Sequence, residues 1–170
     1  LSVDQDMRWE LLLGLVVGGR FGEEAISQEL QRDNTANGQK YAAAARAALP
    51  TPAAKSDTWH TLTETEEYSN TLVDSASLAF GRVRDQSLLQ PYVEKYHEIA
   101  LRIWNERSYQ IASYLLTNLY PINLANEELR AATQALLADP KIEQKPALRR
   151  VLIENLAGLE RGLRAQAADR

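Results

Sequence analysis

Apolar residues recur along this chain at steps of three and four, the spacing that gathers side chains on one face of an α-helix. The clearest stripe is Tyr92, Val93, Tyr96, Ile99, Ala100, Ile103 and Trp104. No stretch alternates apolar and polar residues as a half-buried strand does. The pattern predicts an all-α fold of about ten helices, each of roughly 8 to 20 residues.

Local signals place the boundaries. Asp4 or Asp6 caps a first helix running to Val17, with Met7, Trp9, Leu11, Leu12, Leu13, Leu15, Val16 and Val17. Apolar residues nearly all round predict that it is covered on more than one side. Gly18-Gly19 supplies a left-handed stop. A second helix starts near Gly22, with Glu23 and Glu24 at its positive dipole end and Ile26 and Leu30 on one face. Asp33, Asn34 or Thr35 caps an alanine-rich third helix that ends before Pro50. Thr51-Pro52 opens a fourth, anchored by Trp59 and Leu62. Thr63 and Glu66 have capping-box spacing for a fifth, carrying Tyr68, Leu72, Ala76, Ala79 and Phe80 and ending at Gly81. Asp85 caps a short sixth with Leu88 and Leu89, and Pro91 opens the seventh. Ser108 starts an eighth, closed by Tyr120-Pro121. Asn126 starts a ninth, broken at Asp139-Pro140. Pro146 begins the last, with Leu148, Val151, Leu152, Leu156, Leu159 and Leu163 facing inward.

Taken in consecutive pairs, the helices begin near residues 4, 35, 65, 91 and 126. A pitch of about 30 residues resembles a HEAT/ARM-like or TPR α-solenoid, here a right-handed superhelix of about five antiparallel helix pairs. A single compact bundle is the alternative. No linker or low-complexity stretch divides the chain, so residues 1–170 are expected to form one domain.

Composition narrows the functions available. The 170-residue chain has no cysteine, which excludes disulfides, thiolate nucleophiles and cysteine zinc sites and fits a reducing compartment such as the cytoplasm. Its 23 acidic residues against 19 basic ones leave a net charge of −4, against nucleic-acid binding. The longest apolar run, Leu11 to Val17, is far short of the roughly 20 residues that span a bilayer, so no membrane partner is expected. The chain opens Leu1-Ser2-Val3 without an initiator methionine or signal pattern, which points to removed upstream sequence. It trails off in charged and small residues from Arg161 to Arg170, as a chain end does.

Little in the sequence carries chemistry. His97-Glu98-Ile99-Ala100-Leu101 comes nearest to a zincin helix, which needs a second histidine one turn on so that two imidazoles reach one metal. Leu101 stands there instead, and His60, the other histidine, lies on a different helix. His97 therefore reads as a surface or partly buried helix residue. Gly14 to Arg20 lacks the Lys-Ser or Lys-Thr and the preceding strand of a phosphate loop, so it reads as a helix stop. No serine stands in an elbow motif. Trp9, Trp59, Trp104, Tyr92, Tyr96, Tyr114 and Tyr120 fall at helical spacing and are expected mostly in the core. Arg149-Arg150 with Arg161, Arg164 and Arg170 reads as solvated helix surface rather than a site for an acidic partner. Glu64, Glu66 and Glu67 read as a helix N-terminal turn.

The ordered series of short segments nevertheless resembles a known family. Asp6-Met7-Arg8-Trp9-Glu10-Leu11-Leu12, Gly19-Arg20-Phe21-Gly22-Glu23 and Glu29-Leu30-Gln31-Arg32-Asp33-Asn34-Thr35 are similar to the ERAP1-like C-terminal domain of M1-family zinc aminopeptidases, of the actinobacterial aminopeptidase N type. So are Gly38-Gln39, Leu49-Pro50-Thr51, Lys55 with Trp59, Leu88 to Tyr96, Ile103-Trp104, Leu119-Tyr120-Pro121 and Ala147-Leu148-Arg149-Arg150. The resemblance implies a fragment of a larger multidomain peptidase that releases N-terminal amino acids from peptides. It implies a zinc cofactor and a Gly-x-Met-Glu-Asn loop in an upstream catalytic domain. Neither motif occurs here, and Met7, the only methionine, follows Asp6. No catalytic or metal residue is therefore assigned, and the substrate-binding residues stay unknown.

On this resemblance the domain is non-catalytic, caps its own catalytic domain and controls peptide access to the active-site cavity. Its partners would be that catalytic domain and the peptide substrates. Separation from the rest would leave an apolar patch and promote self-association. The alternative is a free-standing helical-repeat adaptor that binds proteins. A reading frame extending upstream through His-Glu-x-x-His would separate the two. An all-helical transcription regulator would need a basic recognition helix near the start, where this chain is rich in Glu, Ala and Leu.

Overall fold

A computed structural model describes residues 4–168, and every regular element among them is helical. Leu1, Ser2 and Val3 at the opening, and Arg170 of the arginine group, lie outside the described residues. The α-helices are α1 (Gln5–Val17), α2 (Glu23–Arg32), α3 (Ala36–Ala48), α4 (Pro52–Glu64), α5 (Asn70–Phe80), α6 (Tyr92–Glu106), α7 (Tyr109–Asn118), α8 (Glu127–Leu137), α9 (Pro140–Glu143) and α10 (Pro146–Ala168). Short 3-10 turns occupy Gln86–Leu89 and Ile122–Leu124. The helices gather into two compact units, Leu1–Leu88 and Leu89–Arg170.

Side-chain caps fix most helix starts where the sequence predicts them. The Asp4 carboxylate accepts from the Met7 amide at 2.8 Å. Thr35 accepts from Gly38, Thr51 from Ala54, Ser108 from Ile111 and Asn126 from Leu129. Each satisfies one of the amides a helix start leaves without an internal partner. At the end of α1, Gly19 alone takes the left-handed conformation (φ 69°). The Arg20 amide then reaches the Leu15 carbonyl and the Gly19 amide reaches Val16, the two bonds of a Schellman stop.

Three boundaries differ from expectation. Thr63 does not open a helix: it lies inside α4, where its hydroxyl donates back to the Trp59 carbonyl at 2.9 Å. That bond satisfies the hydroxyl within the preceding turn and lets the helix run on to Glu64. α5 starts at Asn70 after Ser69, whose side chain makes no cap bond. Tyr68 therefore precedes α5, and Glu66 and Glu67 sit in the connection rather than in a helical first turn. The segment after Asp85 is a 3-10 turn rather than an α-helix, with the Ser87 amide on the Asp85 carboxylate. Asp139-Pro140 does end α8, but Asp139 also caps the single turn α9, which buries Ile142.

In the first unit α3 is central. It packs on α1, α2, α4 and, most closely, α5. Gly38, Ala42, Ala43, Ala45, Ala47 and Ala48 are its buried residues, and small side chains let the neighbouring backbones approach. α5 buries Val73, Ala76, Ser77, Ala79 and Phe80, with the Phe80 ring 5.9 Å from that of Trp59 on α4. In the second unit α6 packs on α7 and α8, and α10 packs on α7, α8 and α9. Leu148, Leu152 and Leu159 of α10 are fully buried, while Val151, Leu156 and Leu163 are half-buried. No described helix is long and apolar enough to cross a membrane.

Candidate functional site

The first unit buries charge at three points, Glu29, Asp33 and Lys55. Asp33, just past α2, accepts from the Trp9 indole N–H at 2.8 Å and from the Thr35 hydroxyl at 2.6 Å. It thereby ties α1 to the α2–α3 connection. The Thr35 bond, the largest effect, and the Trp9 bond hold its carboxyl below the usual value against the opposing effect of burial. The Lys55 ammonium, fully buried, donates to the Ala47 carbonyl at 2.6 Å and the Phe80 carbonyl at 2.7 Å. Both carbonyls belong to the last turns of helices, α3 and α5, where orphan acceptors and the negative dipole end favour a cation. Burial pushes the amine down to about 8. Sequence reading missed the role of Lys55. Its spacing of four from Trp59 and seven from Leu62 places it on the same inward face of α4, and that was the available signal.

α1 packs on both α3 and α2, yet one of its faces stays uncovered. Trp9, Leu12 and Val16 are buried, but Met7 is 53% and Leu11 57% exposed. α1 and α2 border an open groove of about 340 Å³. Its apolar lining is Leu11, Leu12, Leu15, Phe21 and Ala25, and its polar lining is Arg8, Gln28, Glu29 and Arg32. Phe21 is 47% exposed. Glu29 bridges the two helices, accepting from Arg8 at 2.7 Å across the groove's polar side and lying 3.5 Å from Arg32. Gly14 follows Leu11 by three residues, and a Cβ added there would meet nothing within 4 Å. Met7, Leu11 and Gly14 thus form one uncovered stripe along α1.

The remaining sequence candidates resolve into structure rather than chemistry. His97 is half-buried on α6. Its Nδ1 donates to the Val93 carbonyl at 2.6 Å, which places the proton there, and its Nε2 faces the Thr133 hydroxyl at 3.0 Å. Burial, the largest effect, lowers its pKa, and the Val93 bond opposes this. Both ring nitrogens are engaged and Leu101 follows one turn on, so this histidine does not fit zinc. Among the described residues no three His, Asp or Glu side chains gather where a metal ion could be held. His60 lies exposed on α4. Trp9, Trp59, Tyr92, Tyr96 and Tyr120 are core residues, and Trp104 and Tyr114 are half-buried. Arg149, Arg150, Arg161 and Arg164 are exposed, with Arg150 paired to Glu154 at 2.8 Å.

Comparison with known proteins adds what the residues do not say. The chain is 38% identical over 169 residues to Aminopeptidase N from Streptomyces lividans. That alignment takes in 99% of this chain but 20% of the relative, so the chain spans about one fifth of the length of the curated protein it matches. Residues 1–161 match the family described as the ERAP1-like C-terminal domain. Matched along nearly its whole length, the chain is thus a member of the ERAP1-like C-terminal domain family.

Proposed function

We propose that this chain is the non-catalytic C-terminal domain of a zinc aminopeptidase of the M1 family, and that it caps the catalytic domain and governs which peptides reach the active-site cavity. The observation that carries this reading is the near-complete alignment of the chain to one fifth of an aminopeptidase N. The open apolar groove on α1 and α2 supports it, because such a face suits a domain that packs against more of the same polypeptide. The donor set supports it too: the one histidine in a zincin-like setting has both nitrogens engaged and leucine where a second ligand would stand. Zinc would sit in the catalytic domain and supply the activated water there. Lack of cysteine fits the reducing cytoplasm as the place of action.

On this reading the domain contributes positioning, exclusion of water and control of substrate size. The test compares the parent enzyme with a form lacking this domain, using a peptide of about ten residues and a single aminoacyl reporter. The expected result is a change of about tenfold or more in the ratio of the two kcat/KM values, with reporter hydrolysis retained. An unchanged ratio would remove the access-control role.

A further inference from the structure

Seven large apolar residues are exposed among those described, and their distribution is uneven. Leu78, Tyr109, Ile122 and Ile153 occur one to an element, on α5, α7, the second 3-10 turn and α10. Met7, Leu11 and Phe21 instead belong to α1 and the turn that follows it. Leu11 and Phe21 line the groove, and Met7 extends the same face by one turn toward the N-terminus. α1 and α2 both pack on α3, and the groove is what this arrangement leaves uncovered.

The shape of this face indicates its occupant. A trough between two packed helices, lined by residues four apart, is the seat into which a third helix lays a ridge of side chains. Gly14, outside the groove's lining but on the adjoining stripe of α1, adds no side chain to obstruct it. On the reading proposed above this is a C-terminal domain, and the relative is about five times as long, so further polypeptide would precede residue 1. α1 begins at Gln5, and chain entering there arrives at the Met7 end of the stripe. Elements consecutive in sequence pack beside each other about two-thirds of the time.

We infer that the α1–α2 groove seats an amphipathic helix from the polypeptide directly upstream of residue 1, so that the helical array continues across the N-terminal boundary of this chain. The occupant is then a neighbouring helix of the same array, not the catalytic domain and not a second copy. The inference rests on the reading that this chain is part of a longer peptidase.

The experiment uses the full-length parent enzyme carrying the photoreactive residue p-benzoylphenylalanine in place of Leu11 and, separately, of Phe21. An unchanged urea midpoint and far-ultraviolet circular dichroism spectrum show that each variant folds. Irradiation followed by mass spectrometry of the digested protein maps the contact. Cross-links from both positions to a stretch within about 40 residues before residue 1, the length of one helix pair, are expected. Cross-links to a remote segment, cross-links between two molecules, or no cross-link from either position would each overturn the inference. The reading beneath it fails differently: a native polypeptide of 19.1 kDa, the mass of this chain alone, would show that no peptidase precedes it.

Discussion

In the first unit the buried polar groups include three that carry charge, Glu29 paired with Arg8, Asp33 beneath Trp9 and Lys55 between the ends of α3 and α5, beside the neutral Thr63 and Ser77. In the second they are neutral. The Tyr96 hydroxyl donates to the Leu116 carbonyl at 2.6 Å and Asn155 donates to both Tyr96 and Leu116. Tyr120 and His97 meet on the Thr133 hydroxyl. The apolar packing differs in the same sense. The first unit brings backbones close through the alanines of α3, and the second fills its interior with leucines of α10 and α7. A charged, close-packed interior is sensitive to pH and to any added atom. A neutral, leucine-filled one is sensitive to lost volume and lost hydroxyls.

The largest effects break the packing side of this contrast. A Cβ at Gly38 would run into the Asp33 carbonyl and lie 2.8 Å from its carboxyl carbon. Gly38→Ala is expected to cost about 3 kcal/mol or more, read as a lowered urea midpoint. In the second unit the matching lesion is a void: Leu152→Ala is expected to cost about 3 kcal/mol by the same measurement. A tolerated Gly38→Ala would mean that α3 is not packed as closely as described.

Next comes the charge itself. Burial lowers Lys55 to about 8 from 10.5. Between those values the unfolded chain holds the proton that the folded chain has released, so stability rises with pH across that window. Below pH 8 both states are protonated and the increment is absent. The share due to this group is about 3 to 3.5 kcal/mol, read as the difference in pH dependence between the wild type and Lys55→Met. Equal slopes would place Lys55 in a wetter setting than its two carbonyl bonds imply.

Smaller effects sharpen the contrast. Tyr96→Phe removes a neutral donor and is expected to cost about 1 to 2 kcal/mol. Burial raises the pKa of this hydroxyl, which keeps it protonated, so the loss should not vary between pH 6 and pH 9. Leu11→Ser is expected to change the stability of this isolated chain by about 0.5 kcal/mol or less, because the residue faces the open groove.

What the sequence revealed follows from how local each signal is. Thr51, Ser108 and Asn126 cap helices through bonds spanning three residues and were legible as starts, while Thr35 was one of three candidates with Asp33 and Asn34. The start of α5 was illegible because Ser69 makes no such bond, while Thr63 and Glu66 offered a decoy of the right spacing. The 3.6-residue stripe on α6 marked its buried face, with Tyr92, Val93, Tyr96, Ala100 and Ile103 all interior. On α1 the same kind of reading overestimated burial, because an apolar residue and a covered residue look alike until the neighbours are known. The close packing of α3 on α5 was hidden for that reason also: it joins helices that are not consecutive. The groove was legible only as an expectation, since a face awaiting a partner is defined by what lies outside the chain.

The central claim is that this polypeptide belongs to a peptidase without performing the cleavage. The most direct measurement incubates the purified chain, at high concentration and with added zinc, with an aminoacyl reporter substrate. The account predicts no turnover above the rate of zinc in buffer. Turnover that a chelator abolishes and zinc restores would contradict it.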